Sequence, residues 1–203
     1  MAAEMIEPAA LHALADTRLP TDEGVFRCVA FDDPSGETQL ALIVGDVETT
    51  DEPVLVRLHS ECMTGDVFGS RRCDCGPQLH RAMAQVQAEG RGVVVYLRGH
   101  EGRGIGIGAK LRAYELQDAG LDTVDANLEL GFDVDSRDYG VGAAVLQAIG
   151  VRRVRLLTNN PAKAEGLTAN GVEVVELVAH VTEVHADNEV YLATKRRRLG
   201  HTL

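Results

Sequence analysis

No apolar stretch of this 203-residue chain approaches the roughly 20 residues that a membrane-spanning helix needs, so no membrane role is expected. Basic residues are scarce: 20 lysines and arginines face 31 acids, for a net charge of −11. Broad nucleic-acid binding needs a positive field that displaces counterions, and this balance argues against it. A small anionic substrate stays open, because a few arginines can dominate one cleft. Four cysteines are too few for a disulfide framework at this size. Internal repeats and low-complexity segments are absent. So is the basic start of a secretory leader, since the stretch from Met1 to Pro8 carries Glu4 and Glu7. These absences predict a reduced, cytoplasmic protein. Apolar residues make up 45% of the chain, enough for a core.

Along the chain, residues 1 to about 20 read as a short helical or ragged lead-in. Apolar, β-branched runs predict strands over 25–31, 39–47 and 53–59, with Asp32 to Gly36 turning between the first two. Pro77 opens a helix in which Leu79, Met83 and Val86 recur at helical spacing, and Gly90 ends it. Strands are expected over 93–97, 154–158 and 172–176. Helices are expected after Gly106 (with Leu111, Tyr114 and Leu116 among its apolar or half-buried positions), at about 138–149, over 161–169 and near 188–199. Strands come first and strand–helix alternation follows. The predicted class is therefore α+β, or mixed α/β, with mostly antiparallel N-terminal strands and a single domain over 21–203.

Three cysteines, Cys62, Cys73 and Cys75, carry the strongest chemical signal. Three thiolates hold a zinc ion and leave its fourth coordination position open to water, the arrangement of a hydrolytic centre. The tight Cys73-Asp74-Cys75 pair is unlike the wider pairs of structural zinc ribbons. The alternative is a closed site completed by His59 or His80. Cys28 lies on an alternating apolar stretch and reads as a core thiol. In Gly99-His100-Glu101-Gly102-Arg103-Gly104-Ile105-Gly106 the glycines permit close backbone approach to a phosphate. Glu101 suits the N–H edge of a guanine, and Arg103 suits a phosphate, as does Arg57. On spacing alone the acidic run from Asp133 to Tyr139 reads as a solvated loop or a helix cap. Thr158 to Lys163 reads as a ligand rim or a capped turn. The basic run Lys195 to Arg198, at a helix C-terminus, is expected to stay solvated.

Four stretches together resemble the GTP cyclohydrolase II family, in the family's order: Arg57 to Asp66, Arg72 to Gly76, Glu101 to Gly106 and Leu156 to Pro161. The likeness runs from about residue 20 to the end. It implies a zinc- and magnesium-dependent enzyme that opens the imidazole ring of GTP, releases formate and pyrophosphate, and yields 2,5-diamino-6-ribosylamino-4(3H)-pyrimidinone 5′-phosphate, the first committed intermediate of riboflavin synthesis. It implies a homodimer with one zinc per subunit, held by Cys62, Cys73 and Cys75. The positions it matches to GTP contacts are Arg57, Leu58, His59, Ser60, Glu61, Gln78, Glu101, Gly102, Arg103, Thr123, Thr158 and Lys163. It matches Asp135 to the proton acceptor, Arg137 to the nucleophile and Tyr114 to the tyrosine beside the reacting ring. A guanidinium is almost always protonated, so stabilising a phosphoryl transition state is the milder role for Arg137.

Two departures stand out. Gly99-His100 precedes Glu101 where many stand-alone members have a single glutamine. This longer form resembles the version fused to dihydroxybutanone-phosphate synthase, yet barely 20 residues precede the match, so no such partner domain is expected. The stretch Leu177 to Val181 lacks a proline that the family pattern carries. Two rival functions remain: a sister enzyme that stops at the formamide or serves a deazapurine pathway, and a zinc-stabilised nucleotide- or RNA-binding module.

Overall fold

The structure is a computed structural model and describes residues 11–198. Seven strands make one mixed sheet: β1 (His12–Thr21), β2 (Gly24–Asp32), β3 (Thr38–Val44), β4 (Val54–Ser60), β5 (Gly92–Leu97), β6 (Arg153–Leu157) and β7 (Glu173–Val178). Their order is β1-β2-β3-β5-β4-β6-β7. The pairs β1/β2, β2/β3 and β3/β5 are antiparallel, whereas β4/β6 and β6/β7 are parallel. The mixed class expected from the sequence, antiparallel strands first and strand–helix alternation later, is the class observed.

The sheet's centre follows from composition. Val54 to His59 of β4 and Val93 to Val95 of β5 are buried without alternation, as befits strands covered on both faces. β2 alternates buried and exposed positions nearer the edge. Among the described residues there are six α-helices: α1 (Cys75–Glu89), α2 (Gly106–Asp118), α3 (Thr123–Glu129), α4 (Gly140–Ala148), α5 (Pro161–Ala169) and α6 (Glu189–Arg198). α5 starts where the sequence says it should, with Pro161 in its first turn and the Asn160 side chain accepting from Ala162 N at 3.1 Å. α4 packs closely because of Gly142, where a Cβ would lie 3.1 Å from the methyls of Leu58.

Three expectations are corrected. The helical lead-in is instead strand β1 over 12–21, and its first residues lie outside those described. All but the last residue of β1 are exposed, so it is held by its ladder to β2 and carries no apolar stripe for a reader to detect. Leu111 is 49% exposed, and Ala113 is the buried residue of α2. α3 was not expected at all. Its seven residues are too few for periodicity, and it is started by Asp122, whose carboxylate accepts from Val124 N and Asp125 N at 2.8 and 2.9 Å.

The chain gathers into two compact units. The first takes in the chain to His59, His80–Arg98 and Asp138–His180; the second takes in Ser60–Leu79, Gly99–Arg137 and the chain from Val181. Among the described residues no helix is long and apolar enough to cross a membrane.

Candidate active site

The second unit brings the three cysteines together. Cys62 precedes a single π-helical turn, Met63–Val67, and its sulfur accepts from Gly65 N at 3.4 Å. Cys73 and Cys75 flank Asp74 where α1 begins. The three sulfurs lie within 4.8 Å of one another, and among the described residues no histidine or carboxylate joins the group. The Cys62 and Cys73 sulfurs are 3.8 Å apart. Sulfurs about 2.3 Å from a tetrahedral zinc would stand about 3.8 Å apart, so the spacing fits. The cage has no spare room: a Cβ on Gly65 would lie 2.9 Å from the Cys73 sulfur and 3.2 Å from that of Cys62. In place of the closed alternatives, His80 pairs with Glu23 and His59 stacks on Tyr96 at 5.5 Å between ring centres. Cys28 is half-buried on β2 and stands outside the sulfur group.

The protons in this cage are shared unequally. Hydrogen bonds from Cys73 and Cys75 hold the Cys62 thiol well below its ordinary pKa, with Lys110 adding to the effect and burial opposing it. The hydrogen bond to Cys62 pushes Cys73 up, and hydrogen bonds to Cys62 and Cys73 push Cys75 well up. A dication displaces such protons when it binds.

Lys110, on α2, was not singled out in the sequence. Its ammonium donates to the Cys62 sulfur at 3.0 Å, to Thr64 Oγ1 at 2.8 Å and to Glu101 Oε1 at 2.7 Å. Burial depresses its pKa, but the Cys62 charge and these bonds outweigh burial and raise it. Glu101 is 6% exposed. Its Oε1 also accepts from Gly102 N at 3.1 Å and its Oε2 from Met63 N at 2.6 Å, so a guanine edge would have to displace one of the chain's own donors. Tyr114 follows one helical turn after Lys110. Burial raises its pKa, and its hydroxyl bonds Thr64. The one available sequence signal was this spacing, which puts Lys110 and Tyr114 on one face of α2.

The glycine-rich segment is a single 3₁₀ turn, Glu101–Arg103. Gly102, Arg103 and Gly104 all have positive φ (60°, 67° and 92°), and Arg103 is the one non-glycine residue so placed among the described residues. That conformation is strained for a side chain, and strain of this kind gathers at functional sites. Ser136 N donates to Arg103 O at 3.1 Å, and Arg103 Nη1 to Val134 O at 3.5 Å. Beyond them Arg137 forks onto Asp135, Nε to Oδ1 at 2.8 Å and Nη2 to Oδ2 at 2.5 Å. Burial pushes the Asp135 carboxyl up, but this fork outweighs it and holds the acid ionised below its usual range. Arg137 Nη1 also donates to Ser60 Oγ at 3.4 Å, which lies 3.1 Å from His100 Nδ1. Glu61 accepts from Gly99 N at 2.9 Å, and Thr123 is the first residue of α3.

Asp74 holds its place from the other side. Its side chain, 2% exposed, accepts from Lys195 Nζ at 3.1 Å and Thr182 Oγ1 at 3.2 Å, and from Gln78 Nε2. This corrects the reading of the basic tail as solvated at Lys195 alone, which is 12% exposed in a buried pair; Arg196, Arg197 and Arg198 are exposed, and Arg198 pairs at the surface with Asp122 and Asp125 at 2.8 Å each.

In the first unit the remaining candidates sit at the carboxyl ends of the parallel strands β4 and β6 and at the start of α5, where ligands of open α/β sheets are commonly held. Arg57 is buried and its Nη1 donates to Leu157 O at 2.9 Å. Lys163 is buried too, with Nζ 2.7 Å from Leu58 O. Thr158 Oγ1 accepts from Asn160 N at 3.0 Å. The Leu58 side chain lies wholly in the core, which leaves its backbone to meet any ligand. In the stretch without the expected proline, His180 is fully buried and exchanges two bonds with Asn159, at 2.6 and 3.0 Å.

The model of GTP cyclohydrolase II matches residues 12–179. This chain belongs to the GTP cyclohydrolase II family. Among its relatives, the riboflavin biosynthesis protein RibBA of Mycobacterium avium is 55% identical over 197 residues, covering 95% of this chain and 46% of the relative. That of Mycobacteroides abscessus is 55% identical over 194 residues, covering 94% and 46%. The chain thus spans about half the length of the curated relatives it matches. A solved structure, described as RibBX, a two domain 3,4-dihydroxy-2-butanone 4-phosphate synthase from A. baumannii, covers 86% of this chain and 41% of its own at 20% identity and a TM-score of 0.45. Within the family match lie the three cysteines, the Glu101 turn and the Asp135–Arg137 fork.

Proposed function

We propose that this chain is a zinc- and magnesium-dependent GTP cyclohydrolase II. It converts GTP to 2,5-diamino-6-ribosylamino-4(3H)-pyrimidinone 5′-phosphate, formate and pyrophosphate, the first committed step of riboflavin biosynthesis. The observation that carries the reading is the sulfur trio, spaced for one tetrahedral ion and joined by no fourth ligand among the described residues. Cys62, Cys73 and Cys75 would hold zinc, one ion per subunit, and the ion would supply Lewis acidity toward water and a carbonyl oxygen.

The chain's own groups supply the rest. Tyr114, kept protonated by its raised pKa and lying beside Thr64, donates a hydrogen bond to the formamide carbonyl during the second hydrolysis. Asp135, ionised at neutral pH, accepts a proton on the phosphate side, and Arg137 stabilises charge developing on the α-phosphoryl group. GTP contacts are assigned to Arg57, Leu58, His59, Ser60, Glu61, Gln78, Glu101, Gly102, Arg103, Thr123, Thr158 and Lys163. Buried cations at Arg57 and Lys163 suit a triphosphate. Magnesium, when bound, would screen that triphosphate. Residues 21–203 act as the catalytic domain of a cytoplasmic homodimer.

Incubation with GTP, zinc and magnesium tests this by assay of formate and pyrophosphate. Both are expected in equal yield, and Tyr114→Phe is expected to release pyrophosphate with formate lagging behind it. Pyrophosphate alone from the unaltered protein supports the sister enzyme that stops at the formamide. Neither product sinks both readings.

A further inference from the structure

The ammonium of Lys110 has three N–H groups, and each finds an acceptor inside the chain: the Cys62 sulfur, the Thr64 hydroxyl and the Glu101 carboxylate, at 3.0, 2.8 and 2.7 Å. Its side chain is 11% exposed and that of Glu101 8%, so this is a buried cluster and not a surface ion pair. With its donors all engaged, Lys110 has no proton free for a substrate. It is a node.

Two consequences follow from where the node sits. Glu101 Oε2 accepts from Met63 N, one residue beyond Cys62, while Lys110 ties Oε1 to the Cys62 sulfur itself. The glycine-rich turn and the cysteine loop are therefore fixed to each other through one carboxylate and one ammonium. Electronically, three thiolates bring three negative charges to a divalent ion, and that surplus lowers its Lewis acidity. A cation hydrogen-bonded to one sulfur withdraws electron density from it and offsets part of the surplus.

We infer that Lys110 is a positioning residue that ties the Cys62 sulfur, Thr64 and Glu101 into one unit and draws charge from that sulfur. The inference rests on the reading of the cysteines as a metal site, and the test separates the two. Cobalt(II) is added to the metal-free protein, and the sulfur-to-cobalt charge-transfer band and the cobalt affinity are recorded for the unaltered protein and for Lys110→Met. A thiolate that loses a hydrogen bond becomes a better electron donor, so the band is expected at lower energy in Lys110→Met. Loss of a group that orients a metal ligand is expected to weaken cobalt binding by about 10–100-fold. No band in the unaltered protein ends the metal reading and this inference with it. A normal band there, unmoved in a folded Lys110→Met, overturns the inference alone. Should Lys110→Met fail to fold, Lys110→Gln replaces it. Its amide keeps a polar, hydrogen-bonding side chain but carries no charge, so a displaced band is again expected and an unmoved one overturns the inference.

Discussion

At the scale of single residues, Gly65 matters as much as the cysteines around it. Its missing side chain is the space the sulfurs occupy: a Cβ would come within 2.9 Å of the Cys73 sulfur and 3.0 Å of the Cys75 Cβ. The neighbouring atoms belong to three short cysteine side chains packed on one another, so they cannot swing aside. Gly65→Ala is therefore expected to weaken zinc binding by at least about tenfold in competition with a chelator, while the circular dichroism of the folded chain is unchanged. Unaltered affinity would show that the cage is looser than its sulfur spacing implies. The cysteines were legible in the sequence because their chemistry is rare and their spacing tight. Lys110 was not, because its partner Cys62 is 48 residues away and a lone lysine in a helix has an ordinary solvated reading. Glu101 was legible as a functional acid, but not the three internal donors that converge on it.

At the scale of elements, the second unit is braced by α6. Lys195 reaches from that helix to Asp74, the residue between two of the sulfurs, and the pair is buried. Lys195→Met leaves the Asp74 carboxylate buried without its cation. Removing one partner of such a pair costs about 3–5 kcal/mol, measurable by denaturant unfolding at pH 7. The acid dependence has a definite sign. Burial alone would raise the Asp74 pKa, but Lys195 and the hydrogen bonds to the carboxylate depress it. A depressed folded pKa contributes stability above the unfolded value, about 4, which is lost as pH falls through the folded value. The difference between the unaltered protein and Lys195→Met should thus narrow below about pH 4. A difference that is constant across that range would remove the charge from the explanation. Elements with a strong apolar signature, β4, β5 and α4, were readable from residue pattern. β1 and α3 were not: one is a nearly all-exposed strand held by its neighbour's ladder, the other seven residues held by an aspartate cap.

At the scale of the whole molecule, the mixed sheet and the family were both readable from sequence, because buried strands and four spaced motifs leave dense signals. The grouping of the chain into two compact units was not. The second unit is assembled from three separate stretches, and no linker composition marks where they join. The proposed activity depends on one feature of that second unit, the three-sulfur cage that no fourth ligand joins among the described residues. X-ray absorption at the zinc edge of the zinc-loaded protein measures that feature directly. The expected shell is three sulfurs at about 2.3 Å and one oxygen near 2.0 Å that exchanges with solvent. A fourth sulfur, or an imidazole in the remaining position, would contradict the account.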